Sequence, residues 1–263
     1  MTAILTAEAM GKAYGGRENR LPIIEGLSLS IQRGEFVSLV GPSGCGKTTL
    51  LMCLAGLIAP SEGQVRFMDR AVEGPPIGLS VVFQDYSRSL LPWKTNLDNI
   101  LFGMRRVVGM DKAAKRNKAK EILAAVGLTG FESHYPWQVS GGMQQRVAIA
   151  RGIAAQSELL LLDEPLAAVD AQTRADMQDL LLDLAQKFQQ TCLLVTHDVE
   201  EAVYMADRVL VLGPRPTRVV REVVVGLPKP RDQLVTREDP VFLHARHEVL
   251  QLIRDMRHRK ASA

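Results

Sequence analysis

A glycine-rich stretch near position 45 contains the residue types that bind phosphate groups. It reads Gly41-Pro-Ser-Gly-Cys-Gly-Lys-Thr48 and matches the pattern G-x-x-x-x-G-K-[ST]. The glycines allow backbone N–H groups to curl around phosphate oxygens, and the dipole of a following helix attracts the same negative charge. Lys47 would supply positive charge to the β- and γ-phosphates, and the hydroxyl of Thr48 can bind Mg²⁺. The predicted nucleotide-binding residues of this loop are Gly41, Ser43, Gly44, Cys45, Gly46, Lys47, Thr48 and Thr49.

An acidic pair follows a run of leucines later in the chain. Leu159–Leu162 is continuous and apolar, and Asp163 and Glu164 come directly after it. Such a run is typical of a strand buried on both faces, and ligands bind at the carboxyl ends of these strands in open α/β sheets. Asp163 would hold Mg²⁺ through water, and Glu164 is positioned to polarise an attacking water. The alternative is an ordinary strand end flanked by solvated acids, and the phosphate-binding loop favours the catalytic interpretation.

A third motif places two adjacent glycines at a predicted helix start. It reads Val139-Ser-Gly-Gly-Met-Gln-Gln-Arg146. Ser140 is a good N-cap, and Gly141 and Gly142 would let a phosphate approach the backbone closely. Taken alone the motif could be a simple capped helix. Its position, about twenty residues before the acidic strand end, favours a second anion site.

The predicted elements place the glycine-rich loop between a strand and a helix, which favours a functional loop over a chance match. Residues 35–40 predict a strand, and residues 48–58 predict a buried helix. Apolar runs at 159–162 and 192–195 predict further buried strands. Residues 86–139 have a helical and more polar pattern. The sequence therefore predicts one α/β core with a helical segment inserted into it.

The composition excludes several classes of protein. The chain has 263 residues, of which 46% are hydrophobic and 23% are charged, with a net charge of +3, so it is not a disordered chain. The longest apolar run, residues 50–59, is half of the roughly 20 residues that a membrane span needs. The N-terminus has no secretory pattern, and Cys45, Cys53 and Cys192 are widely spaced, which favours buried reduced thiols over a disulfide framework or a zinc site. We expect a soluble intracellular protein.

The positive charge is concentrated near the C-terminus. From Pro214 onward there are eleven Lys or Arg residues and six Asp or Glu residues. A basic segment of this kind can contact nucleic acid or a membrane surface, or it can be a solvated helix face. At this density we favour the solvated face, and residues 240–256 predict a last helix.

With its motifs in place, the sequence closely resembles the ATPase subunits of ABC transporters over nearly its whole length. It contains GPSGCGKT, SGGMQQR and LLLLDEP in the order and spacing of that family. The resemblance implies an α/β fold, with a phosphate-loop NTPase (RecA-like) core, an N-terminal antiparallel β subdomain and an inserted helical subdomain. It implies an ATPase domain over residues 1–225, with the helical insertion at about 86–148, and a short C-terminal tail with a helix over 226–263.

The resemblance also implies roles for four further residues. Gln84 in VVFQD is similar to the Q-loop glutamine, which senses Mg²⁺ and contacts the transmembrane partner, and His197 in VTHD is similar to the switch histidine at the γ-phosphate. Asp170 in AAVD resembles the D-loop aspartate at the dimer interface, and Tyr14 in KAYGG resembles the aromatic residue that stacks on adenine. Outside this framework a lone histidine or glutamine would be an ordinary structural or surface residue. The implied catalytic residues are Glu164, His197 and Gln84, and the implied Mg²⁺ ligands are Thr48, Gln84 and Asp163.

Two positions depart from the commonest family pattern, since Val139 and Val169 stand where leucine is usual. Both remain apolar, so the resemblance still implies an active site. It implies ATP and Mg²⁺ as cofactors and a head-to-tail dimer, in which residues 140–142 of one subunit close over ATP held by the other. It further implies transmembrane permease subunits, an indirect substrate-binding protein outside the membrane, no nucleic-acid partner, and a peripheral place on the cytoplasmic face of the inner membrane.

The amino-acid sequence around the motifs is similar to that of the nitrate, sulfonate and taurine importer branch of the family. The stretches that carry this similarity are LLPWKTNLDNILFG, HYPWQVSGGMQQRVAIARG and RPTRVVREVVVGLPKPR. A soluble ABC ATPase outside transport is the main alternative, although repair members carry a long coiled coil and translation members carry two ATPase halves. A metabolic phosphate-loop kinase is a third alternative, but it would not need SGGMQQR. No residue of the sequence identifies the transported substrate, because the resemblance implies that separate subunits bind it.

Overall fold

The computed structural model describes residues 3–16, 19–85, 89–167 and 169–261, with side chains described as far as residue 256. In chain order the strands are β1 (Ala3–Tyr14), β2 (Leu21–Gln32), β3 (Phe36–Val40), β4 (Glu62–Phe67), β5 (Arg70–Ala71), β6 (Leu79–Val82), β7 (Leu159–Asp163), β8 (Thr191–Val195), β9 (Arg208–Leu212) and β10 (Val219–Val224). The α-helices are α1 (Lys47–Leu54), α2 (Asn96–Gly103), α3 (Lys112–Ala125), α4 (Gly141–Ala154), α5 (Ala171–Lys187), α6 (Val199–Met205), α7 (Val235–Glu238) and α8 (Pro240–Ala261). Short 3₁₀ helices are Met104–Arg106 and Pro136–Gln138.

The chain divides into two compact units. The first unit spans residues 1–76 and 191–263, and the second unit spans residues 77–190. The domain boundaries that the sequence predicts remain a prediction, and Tyr86, the first residue of the predicted insertion, lies outside the described part of the chain. Among the helices that the structure describes, none combines the length and the apolar character that crossing a membrane requires.

The first unit contains two groups of hydrogen-bonded strands. One is an antiparallel sheet with the strand order β2-β1-β4-β5. The other has the order β10-β9-β3-β8, in which β3 is parallel to both β8 and β9, and β10 is antiparallel to β9. Every residue of β3 and β8 is buried, including Ser38 of β3, and the apolar run at 192–195 predicts this burial for β8. These strands confirm the predicted N-terminal antiparallel sheet and the predicted buried strands of the core.

Helix α1 is shorter than the sequence predicts. The apolar pattern predicts a helix over 48–58, whereas the structure ends it at Leu54. Gly56 has φ +68°, and its N–H donates to the carbonyl of Cys53, while the N–H of Leu57 donates to the carbonyl of Met52. This pair of hydrogen bonds with a left-handed glycine is a Schellman motif, which terminates a helix even where the following residues are apolar.

The second unit contains a pair of parallel strands and the helices that lie between these strands in the chain. Strands β6 and β7 pair in parallel from Leu79–Leu159 to Val82–Leu162. Helix α2 packs against α3 and α4. The buried side chain of Asn99 on α2 accepts a hydrogen bond from the N–H of Leu91 at 2.9 Å and donates to its carbonyl at 3.1 Å. This side chain links the segment that precedes α2 to the helix.

The basic C-terminal segment is packed on one face. Helix α8 begins at Pro240, as predicted, because proline suits the first turn of a helix. It packs against α6, β9 and β10, and its residues Phe242, Ala245 and Val249 are buried. The segment is therefore part of the packed first unit and not only a solvated appendage.

Candidate active site

The phosphate-binding loop leaves the carboxyl end of β3 and enters α1 with little room for side chains on its inner side. A Cβ atom on Gly41 would lie 2.9 Å from the Cβ of Leu212, and one on Gly46 would lie 2.7 Å from Cγ2 of Ile23. Gly46 is also the N-cap of α1, with φ +117°, a conformation that glycine adopts without strain. The exposed side of the loop carries Ser43, Gly44 and Thr48, and Thr49 is partly buried.

Lys47 is the first residue of α1, and only 6% of it is exposed. Its ammonium group donates to the backbone carbonyl of Gly41 at 3.0 Å and to that of Pro42 at 3.3 Å. The charge therefore lies inside the curve of the loop. A buried cation is costly unless a negative group balances it. A phosphate in the loop would provide that balance, and the N-terminus of α1 favours the same negative charge.

Cys45 faces the interior, and its backbone is tied to a distant part of the chain. The residue is 2% exposed, and burial raises the pKa of its thiol. Its carbonyl accepts a hydrogen bond from the hydroxyl of Thr217, which is fully buried. The N–H of Thr217 in turn donates to the carbonyl of Ile23 on β2 at 2.8 Å. Thr217 thus anchors the loop to β2, and sequence reasoning missed it because no local signal marks this residue.

His197 lies at the same strand edge as the phosphate-binding loop. Strands β3 and β8 are parallel with Leu39 opposite Val195, so the residues after each strand emerge on one side. His197 is exposed there, two residues after β8. The hydroxyl of Thr196 accepts from the N–H of Asp198 at 3.1 Å, and the Asp198 carboxylate caps α6. The predicted switch histidine therefore stands on a turn that hydrogen bonds hold on both sides.

Tyr14 is the last residue of β1, and its side chain is partly exposed. The residue is 45% exposed, and its backbone pairs with Leu21 of β2. The ammonium group of Lys12 lies 5.3 Å from the centroid of the ring, which is a cation–π distance. The exposure leaves the ring able to stack on a planar ligand. Its role at adenine remains a prediction.

The second unit places Gln84 and the acidic pair at one strand edge. Asp163 ends β7 and is 4% exposed, and Glu164 follows it. Because Val82 is opposite Leu162 in the parallel pair, Gln84 and Glu164 each stand two residues beyond that pair. Glu164 has φ +45°, which is uncommon for a residue other than glycine. Such backbone strain persists where the surroundings impose it, and it is frequent at functional sites.

The SGG motif and Asp170 also come together in the second unit. Ser140 caps α4 by accepting from the N–H of Met143 at 3.4 Å, and it is exposed together with Gly141. A Cβ atom on Gly142 would lie 3.7 Å from Cγ2 of Thr173, in the first turn of α5. Asp170 caps that helix by accepting from the N–H and the hydroxyl of Thr173, at 3.0 and 2.8 Å. These two hydrogen bonds hold the pKa of the Asp170 carboxyl below its ordinary value, and the bond from the backbone N–H has the larger effect.

Each unit therefore contains some of the residues that are predicted to bind and hydrolyse ATP. The first unit brings the phosphate-binding loop and His197 to one strand edge and holds Tyr14 on its antiparallel sheet. The second unit brings Gln84 and Glu164 to one strand edge and places Gly142 beside Thr173. A buried strand, a glycine-rich loop and a helix, in a chain with an acid-terminated parallel strand, define a phosphate-loop nucleotide hydrolase.

Comparison with known proteins identifies the family. Residues 24–167 match the model that describes the ABC transporter family, and this stretch covers more than half of the chain. The chain belongs to the ABC transporter family. Its phosphate-binding loop, its SGG motif and its acidic pair all lie within the matched stretch.

Similar proteins cover nearly the whole chain. An uncharacterized ABC transporter ATP-binding protein of Methanocaldococcus jannaschii is 45% identical over 97% of this chain and 93% of its own length. The taurine import ATP-binding protein TauB of Escherichia coli O157:H7 is 41% identical over 93% of this chain and 94% of its own length. A solved ATP-binding cassette dimer, in a post-hydrolysis state with ADP and Pi, shares 31% identity and a TM-score of 0.73 over 84% of this chain and 98% of that one.

These similarities confirm two predictions from the sequence. The fold is that of an ATP-binding cassette, an α/β phosphate-loop NTPase. The chain is an ATP-binding ATPase of the ABC transporter family. The roles of the individual site residues remain predictions.

Proposed function

We propose that the chain is the ATP-hydrolysing subunit of an importer for a small anion or a related nutrient, such as nitrate, a sulfonate or taurine. The observation that carries the proposal is the 41% identity to a taurine import ATP-binding protein over nearly the full length of both chains. In this proposal a separate permease and a substrate-binding protein choose the substrate. The subunit acts at the cytoplasmic face of the membrane, where it contacts the permease.

ATP would bind through its phosphates at the loop between β3 and α1. Lys47 would contact the β- and γ-phosphates, since its ammonium group already lies inside the loop. The loop residues Gly44, Gly46 and Thr49 would contribute backbone N–H groups. The side chain of Cys45 is buried, and its N–H, which donates to the carbonyl of Pro42 at 3.2 Å, would exchange that acceptor for a phosphate oxygen. The exposed ring of Tyr14 would stack on adenine.

The oxygen atoms of the three residues that are predicted to bind Mg²⁺ suit that ion chemically. Thr48, Gln84 and Asp163 offer hydroxyl, amide and carboxylate oxygens, and hard oxygen donors are the ligands that Mg²⁺ prefers. Thr48 is exposed at the start of α1, and Asp163 ends a buried strand. Bound Mg²⁺ neutralises charge on the β- and γ-phosphate oxygens.

Two residues would carry the chemistry of hydrolysis. Glu164 would accept a hydrogen bond from the attacking water and orient it toward the γ-phosphorus, and the bond from that phosphorus to the ADP oxygen breaks. His197 would donate a hydrogen bond to the γ-phosphate and stabilise the charge that develops there. The strained φ of Glu164 and the hydrogen-bonded turn around His197 support fixed positions for both side chains.

The SGG motif would act on nucleotide held by a second copy of the chain. Ser140 and Gly141 are exposed at the N-terminus of α4, a 14-residue helix, which is a ready anion site. In a head-to-tail dimer, these residues of one subunit close over the γ-phosphate of ATP in the other, and Asp170 lies at the interface. The solved cassette that is 31% identical to this chain is dimeric with ADP and Pi bound, which supports a dimer. Hydrolysis removes the bridging phosphate, so the dimer opens.

The motion would reach the permease through the segment after Gln84. Trp93 is 71% exposed in this segment, which gives a membrane partner a large apolar contact. Arg151 on α4 donates to the carbonyl of Ser89 at 2.6 Å, and Asn99 holds Leu91. Movement of α4, which carries the SGG motif, is thereby coupled to the exposed segment.

The test is recovery of the partner from membranes. The tagged full chain is expressed in its own cells and purified from detergent-solubilised membranes, with Lys47→Ala as a matched sample. Recovery of a polytopic permease, and ATP-driven uptake of a small anion by that complex in proteoliposomes, is the expected result. Recovery of ribosomes or DNA in place of a permease would instead identify a non-transport ABC ATPase.

A further inference from the structure

Arginines of the C-terminal tail, residues 226–263, bind the helix that follows the proposed switch histidine. Glu200 lies in the first turn of α6, three residues after His197. Its two carboxylate oxygens accept from two arginines of the C-terminal segment, Nη1 of Arg237 at 3.0 Å and Nη1 of Arg246 at 3.0 Å. Arg246 belongs to α8, and Arg237 belongs to α7. One carboxylate on α6 is therefore shared by two cations from the tail.

The same segment also holds the other end of α6. Arg231, whose side chain is 1% exposed, donates to the carbonyls of Tyr204 and of Ala206, the latter at 2.8 Å. These carbonyls end the helix, where acceptors lack intrahelical partners and positive charge is favourable. The guanidinium of Arg237 also lies 5.0 Å from the centroid of the Tyr204 ring. The tail thus contacts α6 at its start, along one side and at its end.

Hydrogen bonds join the first turn of α6 to the residues on both sides of His197. The Asp198 carboxylate accepts from the N–H of Glu200 at 2.9 Å and from that of Glu201 at 3.2 Å. The hydroxyl of Thr196 donates to the carboxylate of Glu201. These hydrogen bonds connect the backbone of Glu200 to Asp198, the residue that directly follows His197.

We infer that Arg237 and Arg246 are positioning residues for His197, acting through Glu200 to set the orientation of α6. The inference rests on the role proposed for His197 at the γ-phosphate. Ion pairs that are partly exposed contribute little to the stability of a fold. The buried Phe242, Ala245 and Val249 already hold α8 in place, so the arginines adjust α6 without holding the unit together. The tail then controls the rate of hydrolysis and leaves ATP binding unchanged.

The test compares ion pairs from the same helix in the full-length chain. Glu200→Gln removes both ion pairs between the tail and α6, and Arg246→Gln removes one of them. Arg221→Gln instead removes the pair that joins Glu248 of α8 to β10, at 3.6 Å. The first two variants should lower kcat roughly three- to tenfold, because small misplacements of a reacting group slow catalysis. KM and the Kd for a fluorescent ATP analogue should stay at wild-type values, and Arg246→Lys should recover most of the rate. Arg221→Gln should hydrolyse ATP at the wild-type rate.

A double variant separates this inference from the proposed function. In single-turnover hydrolysis, Arg246→Gln should cause no further loss once His197→Ala is present, since residues that act as one unit are not additive. A wild-type rate for His197→Ala alone would remove the proposed role of the histidine. A slow His197→Ala with normal Glu200→Gln and Arg246→Gln would overturn only the role of the tail. An equal loss in Arg221→Gln, or a full additional loss in the double variant, would also overturn it.

Discussion

Thr217 and Cys45 lie 172 positions apart in the chain, and the hydroxyl of Thr217 donates a hydrogen bond to the backbone carbonyl of Cys45. The bond is fully buried. It fixes the middle of the phosphate-binding loop from behind, while the N–H of Thr217 is bonded to Ile23. Gly46 packs against Ile23 as well. The shape of the loop therefore depends on the antiparallel sheet and on the segment before β10, in addition to its own glycines.

We expect Thr217→Val to lower both stability and ATP affinity. Valine keeps the shape of threonine but leaves the buried carbonyl of Cys45 without this donor, which costs about 1–3 kcal/mol. Urea unfolding measures the stability change, and titration with a fluorescent ATP analogue measures affinity. Thr217→Ser, which keeps the hydroxyl, is the control and should stay close to wild type. Equal stability and affinity in the valine variant and the wild type would show that the bond is dispensable.

Lys47→Ala should abolish most nucleotide affinity while the chain remains folded. The ammonium group lies inside the loop, and a charge-assisted hydrogen bond contributes about 1.5–3 kcal/mol, so the Kd should rise at least roughly tenfold. Isothermal titration with ATP and Mg²⁺ measures the change. Lys112→Ala removes an equal charge from an exposed position at the start of α3 and should bind normally. Unchanged binding by Lys47→Ala would contradict the assignment of the phosphate-binding loop.

The three cysteines should be unreactive in the native protein. All three are buried thiols, and burial raises the pKa of Cys53 to about 11 and that of Cys192 to about 12. The thiolate is the reactive form, so almost none is present in mildly alkaline buffer. Iodoacetamide followed by mass spectrometry should find no label on the native chain and three labels in guanidinium chloride. Rapid native labelling at any of them would mean that the surrounding core opens readily.

Local chemistry explains which parts of the site the sequence could predict. The loop between β3 and α1 needs glycine at fixed positions and a lysine at its end, so its pattern is visible in eight consecutive residues. Strands β7 and β8 contain continuous apolar runs, at 159–162 and 192–195, and burial on both faces produces that signal directly. The N-cap Ser140 was equally visible, because a side-chain acceptor must precede its helix, whereas the cap that Asp170 forms on α5 appears only in the structure.

Long-range contacts explain what the sequence could not predict. Thr217 looks like an ordinary residue of a basic segment, and only the fold brings its hydroxyl to the loop. The end of α1 depends on the left-handed conformation of Gly56, which the apolar residues beside it conceal. The φ of +45° at Glu164 is imposed by the turn in which it stands, and glutamate itself carries no signal for it. The arginines that share Glu200 come from two other helices.

Glu164→Gln should keep ATP binding and accumulate a closed dimer. The amide retains the size of the side chain but is a poorer acceptor for the attacking water, so ATP stays intact and continues to bridge two subunits. Light scattering after gel filtration, with saturating ATP and Mg²⁺, should show a dimer that disappears when ADP replaces ATP. Glu158→Gln alters an exposed acid just before β7 and should behave as wild type. A Glu164→Gln chain that binds ATP and remains monomeric would contradict the head-to-tail arrangement.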